Sequence, residues 1–254
     1  MALPNLLRLI YRNIRVNTDP GSLIILVGLP AMYLVFFGFG FQSLAGGSGS
    51  GSYIDYLTPG IMSFQAVMAG TVGGSMLWAD RRYGMLAQLL VGPFTRLQYL
   101  LGIMFTSVLF ALGGAAVMMG MALVLVQVPA ISAVAVLVMF AVITLGAIFF
   151  GSLMLLIAAL VKSNNAYNSV QILVIFVVNF ASTVFYPISS SLPAALRYLF
   201  LINPLTYIAN AVRGAFTGTL TASDGIQVAV LAAETVVVLF LATRAYLRSD
   251  VTLE

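Results

Sequence analysis

The charged residues best placed for chemistry lie in two parts of the chain. In the stretch "WADRRYGMLAQLLVGPFTRLQ", Asp80, Arg81 and Arg82 stand together between two long apolar segments. Glu234 lies about nine residues into the last apolar segment, which corresponds to roughly 13 Å of helix. An ionisable group at that depth is costly unless it is protonated, paired or hydrated. Glu234 is therefore either part of a solute path or a neutral side chain hydrogen-bonded to a neighbouring helix.

Other chemistries are excluded by residue types that the sequence lacks. With no His and no Cys, the chain cannot build a His-based triad, a thiolate nucleophile or the usual zinc site. Lys162 precedes Ser163, but Leu156 and Val161 occupy the two positions where a phosphate-binding P-loop requires glycine. We expect no catalytic residue, metal or cofactor in this chain; if ATP and Mg²⁺ drive it, a partner subunit binds them. The net charge of +4 is small and dispersed, which argues against nucleic acid as a partner.

The composition places most of the chain in a lipid bilayer. It is 61% hydrophobic with a mean hydropathy of +1.09, against about 45–50% apolar residues in ordinary soluble domains. A membrane-spanning helix needs roughly 20 apolar residues. We therefore predict a single all-α transmembrane domain over residues 1–254 with six spans. These are Gly21–Phe41, Tyr53–Ala79, Leu97–Val128, Ile131–Val161, Ala166–Tyr186 and Ile226–Thr243.

The basic residues predict the orientation of these spans. Nine of them would lie on the side of the N-terminus, and only Arg197 and Arg213 on the other. By the positive-inside rule both termini are cytoplasmic, in a plasma or inner membrane. The first apolar run is longer than the roughly 7–15 residues of a signal-peptide core, so we interpret it as a span. Gly46–Ser52 is interpreted as a loop.

Residues 1–18 predict an amphipathic helix in the inner membrane interface. Leu and Ile side chains recur on one side of it, and Arg8, Arg12 and Arg15 fall on the other. We expect the arginines to face anionic headgroups. The helix is either a simple anchor or a lever joined to the first span, which Asp19-Pro20 is expected to begin.

Residues 80–93 predict a short cytoplasmic helix that Gly92-Pro93 ends. A groove on a partner protein would bury its apolar face, with Asp80, Arg81 and Arg82 as a polar rim. Alternatively, the arginines only keep the loop inside and the apolar face lies on lipid headgroups. The residues of this face recur at helical spacing: Tyr83, Leu86, Leu89 and Leu90.

Residues 187–217 contain two apolar pieces that are each too short to cross the membrane. They are Leu192–Ile202 and Leu205–Phe216, parted by Asn203-Pro204. Runs of about 10–14 residues are typical of re-entrant or interfacial segments. We predict a helical hairpin that enters from the outer face. The residues that mark it are Pro187, Pro193, Asn203, Pro204 and Arg213.

Two stretches resemble the permease subunit of type-2 ABC (ATP-binding cassette) exporters. "YLTPGIMSFQAVMAGTVGGSMLWADRRYGMLAQLLVGPFTRLQYLLG" is similar to the family's second span, coupling helix and start of the third span. "FYPISSSLPAALRYLFLINPLTYIANAVRG" follows its pattern of prolines, Asn-Pro-Leu-Thr and then Arg. The family often has a Glu shortly after the coupling-helix glycine, whereas Gly84 is followed here by Met85 and Leu86. Asp80 is the candidate substitute.

The resemblance implies how the chain would work. Residues 80–93, including Gly84 and Pro93, would be the coupling helix that passes ATP-driven closure of separate ATP-binding subunits to the spans. Two permease copies, identical or closely homologous, would enclose the export path. Within this family, the sequence as a whole most resembles drug and antibiotic exporters such as the daunorubicin-resistance permease.

The sequence leaves alternatives open for both the substrate and the energy source. Phe176, Asn179, Phe180 and Glu234 are the candidate path residues, and we favour a lipophilic small molecule or lipid. Aromatic residues in this region would also suit a polysaccharide or lipid-linked glycan exporter of the same family. A secondary transporter that uses Glu234 is a second alternative, although we see no internal repeat.

Glycines predict where helices approach each other closely. Gly70 and Gly74 are four residues apart in the second predicted span, and Gly113, Gly114 and Gly120 lie in the third. We expect them to pack helices within one subunit.

Overall fold

The computed structural model describes residues 2–42, 53–125, 131–189 and 192–249. These ranges are helical with irregular connections and contain no strand, so the all-α prediction is confirmed. The predicted loop Gly46–Ser52 lies outside them. The helices are α1 (Ala2–Val16), α2 (Pro20–Leu23), a π-helix (Ile24–Gly28), α3 (Leu29–Gln42), α4 (Tyr53–Arg82), α5 (Met85–Val91), α6 (Arg96–Leu125), α7 (Ala133–Leu160), α8 (Asn164–Phe180), α9 (Ala194–Ile202), α10 (Pro204–Thr217) and α11 (Ala222–Arg248).

Local sequence sets several helix starts. Asp19 accepts a hydrogen bond from the backbone N–H of Ser22 at 3.1 Å, and Pro20 is the first residue of α2. This confirms the predicted start, because an N-cap carboxylate satisfies a donor that the helix itself cannot. At α11, Thr221 and Asp224 form a reciprocal capping box.

Within the described ranges, four helical segments are long and apolar enough to cross a membrane: Pro20–Phe41, Arg96–Leu125, Ala133–Leu160 and Ala222–Arg248. The sequence predicted six. α4 has 30 residues but is less apolar, since it carries Asp55, Ser63 and Gln65. α8 has 17 residues. It ends at Phe180, six residues before the predicted end of the fifth span, because a turn begins at Ala181.

α4 is the central helix of the bundle and is buried along nearly its whole length. A Cβ added at Gly70 would lie 2.7 Å from the backbone of Phe150, and one at Gly74 would lie 2.7 Å from Cβ of Met154. Both positions therefore let α7 approach α4 more closely than any side chain would allow. The prediction that Gly70 and Gly74 pack helices within one subunit is confirmed.

The glycines of α6 behave differently from one another. A Cβ at Gly114 would meet the Gln65 side chain at 2.5 Å. The absence of a side chain at Gly114 therefore makes room for the Gln65 side chain of α4. A Cβ at Gly113 or Gly120 would meet nothing within 4 Å in the described chain. The packing prediction is wrong for these two positions, since their side of α6 faces outward.

α8 and α9 are the least buried of the longer helices. α8 buries only Tyr167 and Asn179, and α9 buries only Phe200. Apolar side chains that remain exposed on both helices include Leu173, Phe176, Leu199 and Ile202. Such surfaces are expected to face lipid or another protein.

Candidate functional site

The predicted segment 80–93 has two parts in the structure. α4 continues through Arg82, so Asp80, Arg81 and Arg82 form its last turn and are not part of the short helix. Gly84 adopts a left-handed conformation, with φ of 70°, and turns the chain into α5. α5 ends at Val91 before Gly92, as predicted.

The apolar face of α5 points mainly into the chain itself. Leu86 is only 1% exposed and belongs to a buried cluster, with Leu89 and Leu90 half-buried against it. Tyr83 is 74% exposed and Val91 is 91% exposed. The expectation that the whole face awaits a partner is corrected, because Leu86 is already covered by this chain's helices. The accessible apolar surface lies at Tyr83 and Val91.

Asp80 lies at the meeting point of several helices. The Arg12 guanidinium of α1 donates to both carboxylate oxygens, with Nη1 2.8 Å from Oδ2. The hydroxyl of Tyr99, on α6, donates to the same Oδ2 at 2.7 Å, and its ring stacks on Tyr246 of α11. Burial lowers the pKa of the Arg12 guanidinium, but the hydrogen bond and charge of Asp80 outweigh it and raise that pKa. Asp80 thus links four helices.

Arg81 and Trp78 tie the end of α4 to α7 and α8. Arg81 is 3% exposed and donates to the carbonyl oxygen of Ala158 at 2.7 Å. The indole N–H of Trp78 donates to Oδ1 of Asn164 at 2.8 Å, and its ring stacks on Tyr167. These bonds satisfy polar groups that burial would otherwise make costly.

The predicted polar rim is therefore corrected at two of its three members. Asp80 and Arg81 are turned inward to partners within the chain, whereas Arg82 remains exposed. A carboxylate and a guanidinium next to a membrane-embedded bundle need fixed partners, which Arg12 and the end of α7 supply. Both residues are thus held by the chain's own helices, Asp80 by α1 and α6 and Arg81 by α7.

α1 is held against the start of α6 and bonded to the connection that follows α5. Leu9 and Asn13 are buried, and a Cβ at Gly102 would lie 3.1 Å from Cβ of Leu9. The Asn5 amide donates to the carbonyl oxygen of Pro93 at 2.9 Å. The interfacial helix is therefore packed on α6 and fixed to the segment that joins α5 to α6.

The outer surface of α1 retains the predicted amphipathic character. Leu7 and Tyr11 form an exposed apolar stripe, and Arg8 and Arg15 are exposed beside it. A helix with adjacent apolar and basic stripes suits a membrane interface. Arg12 departs from the prediction, because it binds Asp80 and does not face outward with the other two arginines.

The helices of the predicted hairpin form as α9 and α10. Asn203 caps α10 by accepting from the N–H of Leu205 at 3.0 Å, and Pro204 is its first residue. The Asn203 amide also donates to the carbonyl oxygens of Val178 and Ala181, at 2.7 Å each. It therefore fixes the hairpin to the end of α8. Pro193 precedes α9, and Pro187 lies in the irregular segment after α8.

Arg213 holds the same turn from the other side. Its Nη2 donates to the carbonyl oxygen of Thr183 at 2.8 Å, and its guanidinium carbon lies 3.8 Å from the centroid of the Tyr56 ring. The Tyr56 hydroxyl donates to the same carbonyl oxygen at 2.9 Å. A stacked and hydrogen-bonded arginine fixes the geometry of α4, α10 and the turn together.

An aromatic cleft of about 330 Å³ lies between the π-helix, α3, α4 and α8. It contains Phe176, Asn179 and Phe180, three of the four predicted path residues. The Asn179 amide donates to the carbonyl oxygen of Ile175, while its buried Oδ1 has no hydrogen-bond partner in the described chain. The remaining aromatic lining comes from Tyr33, Phe64 and Phe185. The cleft can hold an apolar or aromatic group, and Asn179 and Tyr33 are the polar residues of its lining.

Glu234 does not line this cleft. It is half-buried on α11, and its Oε2 is buried without a hydrogen-bond partner among the described residues. The structure thus separates Glu234 from the other three predicted path residues. Both roles expected for Glu234, a residue of the solute path or a neutral side chain hydrogen-bonded to a neighbouring helix, stay predictions.

Several functional positions were missed from the sequence. Tyr99 and Tyr56 are tyrosines among many, and only their partners Asp80 and Arg213 identify them. Tyr33 and Phe64 line the cleft with α8 although they are distant from it in sequence. The close apposition of aromatic rings, such as Tyr33 and Phe185 at 5.8 Å, has no local sequence signal.

The bundle, with its charged turn, short helix and capped hairpin, has the composition and helix lengths of a helical membrane protein. The family model of the ABC-2 type transporter matches residues 5–217, so the chain belongs to this family. The family is a membrane transport component that works with an ABC ATP-binding partner. A comparison with curated proteins found no significant match.

Proposed function

We propose that this chain is the membrane subunit of an ATP-driven exporter that moves a lipophilic small molecule or lipid outward. Separate ATP-binding subunits, which hold ATP and Mg²⁺, drive it, and the path lies between two permease copies. The family match supports the transporter class. The observation that carries the substrate class is the aromatic cleft, whose walls are apolar except at Asn179 and Tyr33.

Six membrane crossings are proposed by adding α4 and α8 to the four apolar helices. α4 is long enough, since 30 residues span about 45 Å. Other helices surround it, so its polar residues need not meet lipid. The α9–α10 hairpin would then enter from the outer face, and both termini would be cytoplasmic. Because the chain has no Cys, single cysteines at Val91 and Thr219 should react with an impermeant maleimide from the inner and outer side, respectively.

The second permease copy is proposed to cover the exposed apolar faces of the π-helix, α3 and α8 beside the cleft. These faces carry Ile25, Phe36, Leu173 and Phe176 in exposed positions. In the cysteine-free background, Leu173→Cys should form a disulfide between two copies under mild oxidation. Leu123→Cys, equally exposed on α6, is the matched control. Cross-linking at Leu123 and not at Leu173 would contradict the proposed seam.

Transport itself can be tested in inverted membrane vesicles. The chain is co-expressed with the ATP-binding subunit that co-purifies with it, and uptake of daunorubicin or a fluorescently labelled phospholipid is followed after ATP addition. Phe176→Ala and Phe180→Ala should lower uptake, whereas Leu123→Ala should not. Uptake of a lipid-linked glycan in place of both probes would favour the polysaccharide alternative.

A secondary transporter is the second candidate, favoured by the unpartnered carboxylate oxygen of Glu234. This mechanism would take its energy from an ion gradient. Uptake that persists without ATP, collapses with a protonophore and is lost in Glu234→Gln would establish it. Uptake that requires ATP and withstands the protonophore would support the exporter.

A further inference from the structure

A cationic recess of about 610 Å³ lies where the ends of α7 and α11 meet the end of α4. It shares no lining residue with the aromatic cleft. Its basic members are Arg81 at the end of α4, Lys162 in the connection after α7, and Arg244 and Arg248 at the end of α11. No acidic residue lines it in the described chain.

The basic side chains differ in how they are held. Arg81 is buried at the carbonyl oxygen of Ala158 and forms a fixed cation at the side of the recess. Lys162, Arg244 and Arg248 are exposed, and none of the three binds a carboxylate among the described residues. An anion in the recess would be attracted by the three exposed cations together, because their like charges at one site reinforce one another.

The apolar wall of the recess continues toward the membrane-spanning part of both helices. Leu160 of α7 and Leu241 of α11 are exposed lining residues that belong to two of the span-length apolar helices. Leu241, Arg244 and Arg248 are spaced three and four residues apart, so they share one face of α11. An amphiphile in the recess would thus place its charge beside the cations and its chain along the leucines.

We propose that this recess binds the phosphate-bearing headgroup of an anionic phospholipid from the leaflet at this end of the bundle. Basic pockets between membrane helices near the interface attract anionic headgroups, and the volume is in the range of ligand sites, about 300–1,000 Å³. The leucine wall favours a lipid over a soluble anion or an acidic protein surface. The inference does not depend on the proposed substrate or energy source.

The test is lipid binding to the purified full chain in detergent, counted by native mass spectrometry. Phosphatidylglycerol and phosphatidylcholine with the same acyl chains are titrated against wild type, against Arg244→Gln/Arg248→Gln and against Arg82→Gln. The last variant is the control, since it removes an exposed arginine at the same end of the bundle that does not line the recess. Inorganic phosphate and glycerol phosphate are added as soluble competitors.

We expect wild type to prefer phosphatidylglycerol and the Arg244/Arg248 variant to bind it about 30-fold more weakly, at about fivefold per lost cation. The affinity of the control for phosphatidylglycerol should stay within about twofold of wild type. All three proteins should have the same melting temperature, because the altered side chains are exposed. Equal weakening in the control would overturn the site, since net charge alone would explain the binding. Displacement of the lipid by inorganic phosphate would overturn the lipid assignment. Unchanged lipid affinity with lost capture of the ATP-binding subunit would reassign the recess to a protein contact.

Discussion

Replacing Arg12 with Gln removes the cation that Asp80 faces across the contact between α1 and α4. The side chains are 25% and 11% exposed, respectively. Removing one partner of a fully buried pair costs about 3–5 kcal/mol. Because Arg12 is partly screened by its exposure, we expect a loss of about 2–3 kcal/mol. A chain of this size loses about 2–4 °C per kcal/mol, so melting in detergent should fall by about 4–12 °C.

The reciprocal change, Asp80→Asn, should cost less. Asn can still accept the hydrogen bond from Tyr99, and the partly exposed Arg12 can turn toward water or headgroups. We expect about 1 kcal/mol, since one buried charge disappears together with its partner's bond. The double variant should be more stable than the sum of both losses predicts, by about 1–2 kcal/mol.

Arg15→Gln is the control for both changes, because Arg15 is exposed on the same helix and its side chain forms no hydrogen bond or ion pair with the described residues. Its free energy of unfolding should stay within about 0.5 kcal/mol of wild type. Asp80 does not depend on Arg12 if Arg12→Gln and Arg15→Gln have the same melting temperature. The same conclusion follows if the stability losses of Arg12→Gln and Asp80→Asn simply add in the double variant. The Arg12–Asp80 pair would then not be what fastens α1 to the end of α4.

Three other sites give separate tests. Gly70→Leu or Gly74→Leu should cost about 3 kcal/mol or more by overpacking, whereas Gly113→Leu should melt like wild type; equal melting of all three would contradict the α4–α7 contact. Glu234→Gln should reduce vesicle uptake without changing expression; unchanged uptake would leave a structural role only. Arg213→Lys should lower the melting temperature although the charge is kept, because the stacked guanidinium is lost; an unchanged melting temperature would refute that role.

Features encoded locally could be predicted from the sequence. Asn203-Pro204 and Asp19-Pro20 form helix boundaries through their own side chains and rings. Gly70 and Gly74 lie on one face of a helix, so their packing role follows from their spacing alone. In each case the physical cause lies within a few residues of the position.

Features that depend on distant partners could not be predicted. Arg12 and Asp80 are 68 residues apart, and the sequence alone predicts that Arg12 faces headgroups and that Asp80 faces a partner protein. The cleft likewise joins Tyr33 and Phe64 to Phe176 across three helices. The length of α8 was overestimated because hydropathy continues through the turn after Phe180 although the helix does not.

Substitutions at the two ends of α5 should affect different properties, stability at Leu86 and capture of the ATP-binding subunit at Val91. Leu86 is buried in the chain's own core, so Leu86→Asp removes a packed side chain and buries a carboxylate, with a cost of about 4 kcal/mol or more. Val91 is almost fully exposed, so Val91→Asp should change stability by less than about 0.5 kcal/mol. If α5 contacts the ATP-binding subunit through its exposed apolar residues, Val91→Asp should still weaken capture of that subunit.

The two variants are compared by melting in detergent and by affinity capture of the co-expressed ATP-binding subunit. We expect Leu86→Asp to reduce the yield of folded chain and Val91→Asp to yield folded chain that captures less ATPase. Leu123→Asp on α6 is unsuitable as a control, because that exposed leucine lies on an apolar span-length helix. Gln88→Asp, exposed on α5 itself, controls for added charge. Wild-type capture by both Val91→Asp and Tyr83→Asp would place the contact elsewhere, since neither the buried Leu86 nor the inward-facing Asp80 and Arg81 is accessible to it.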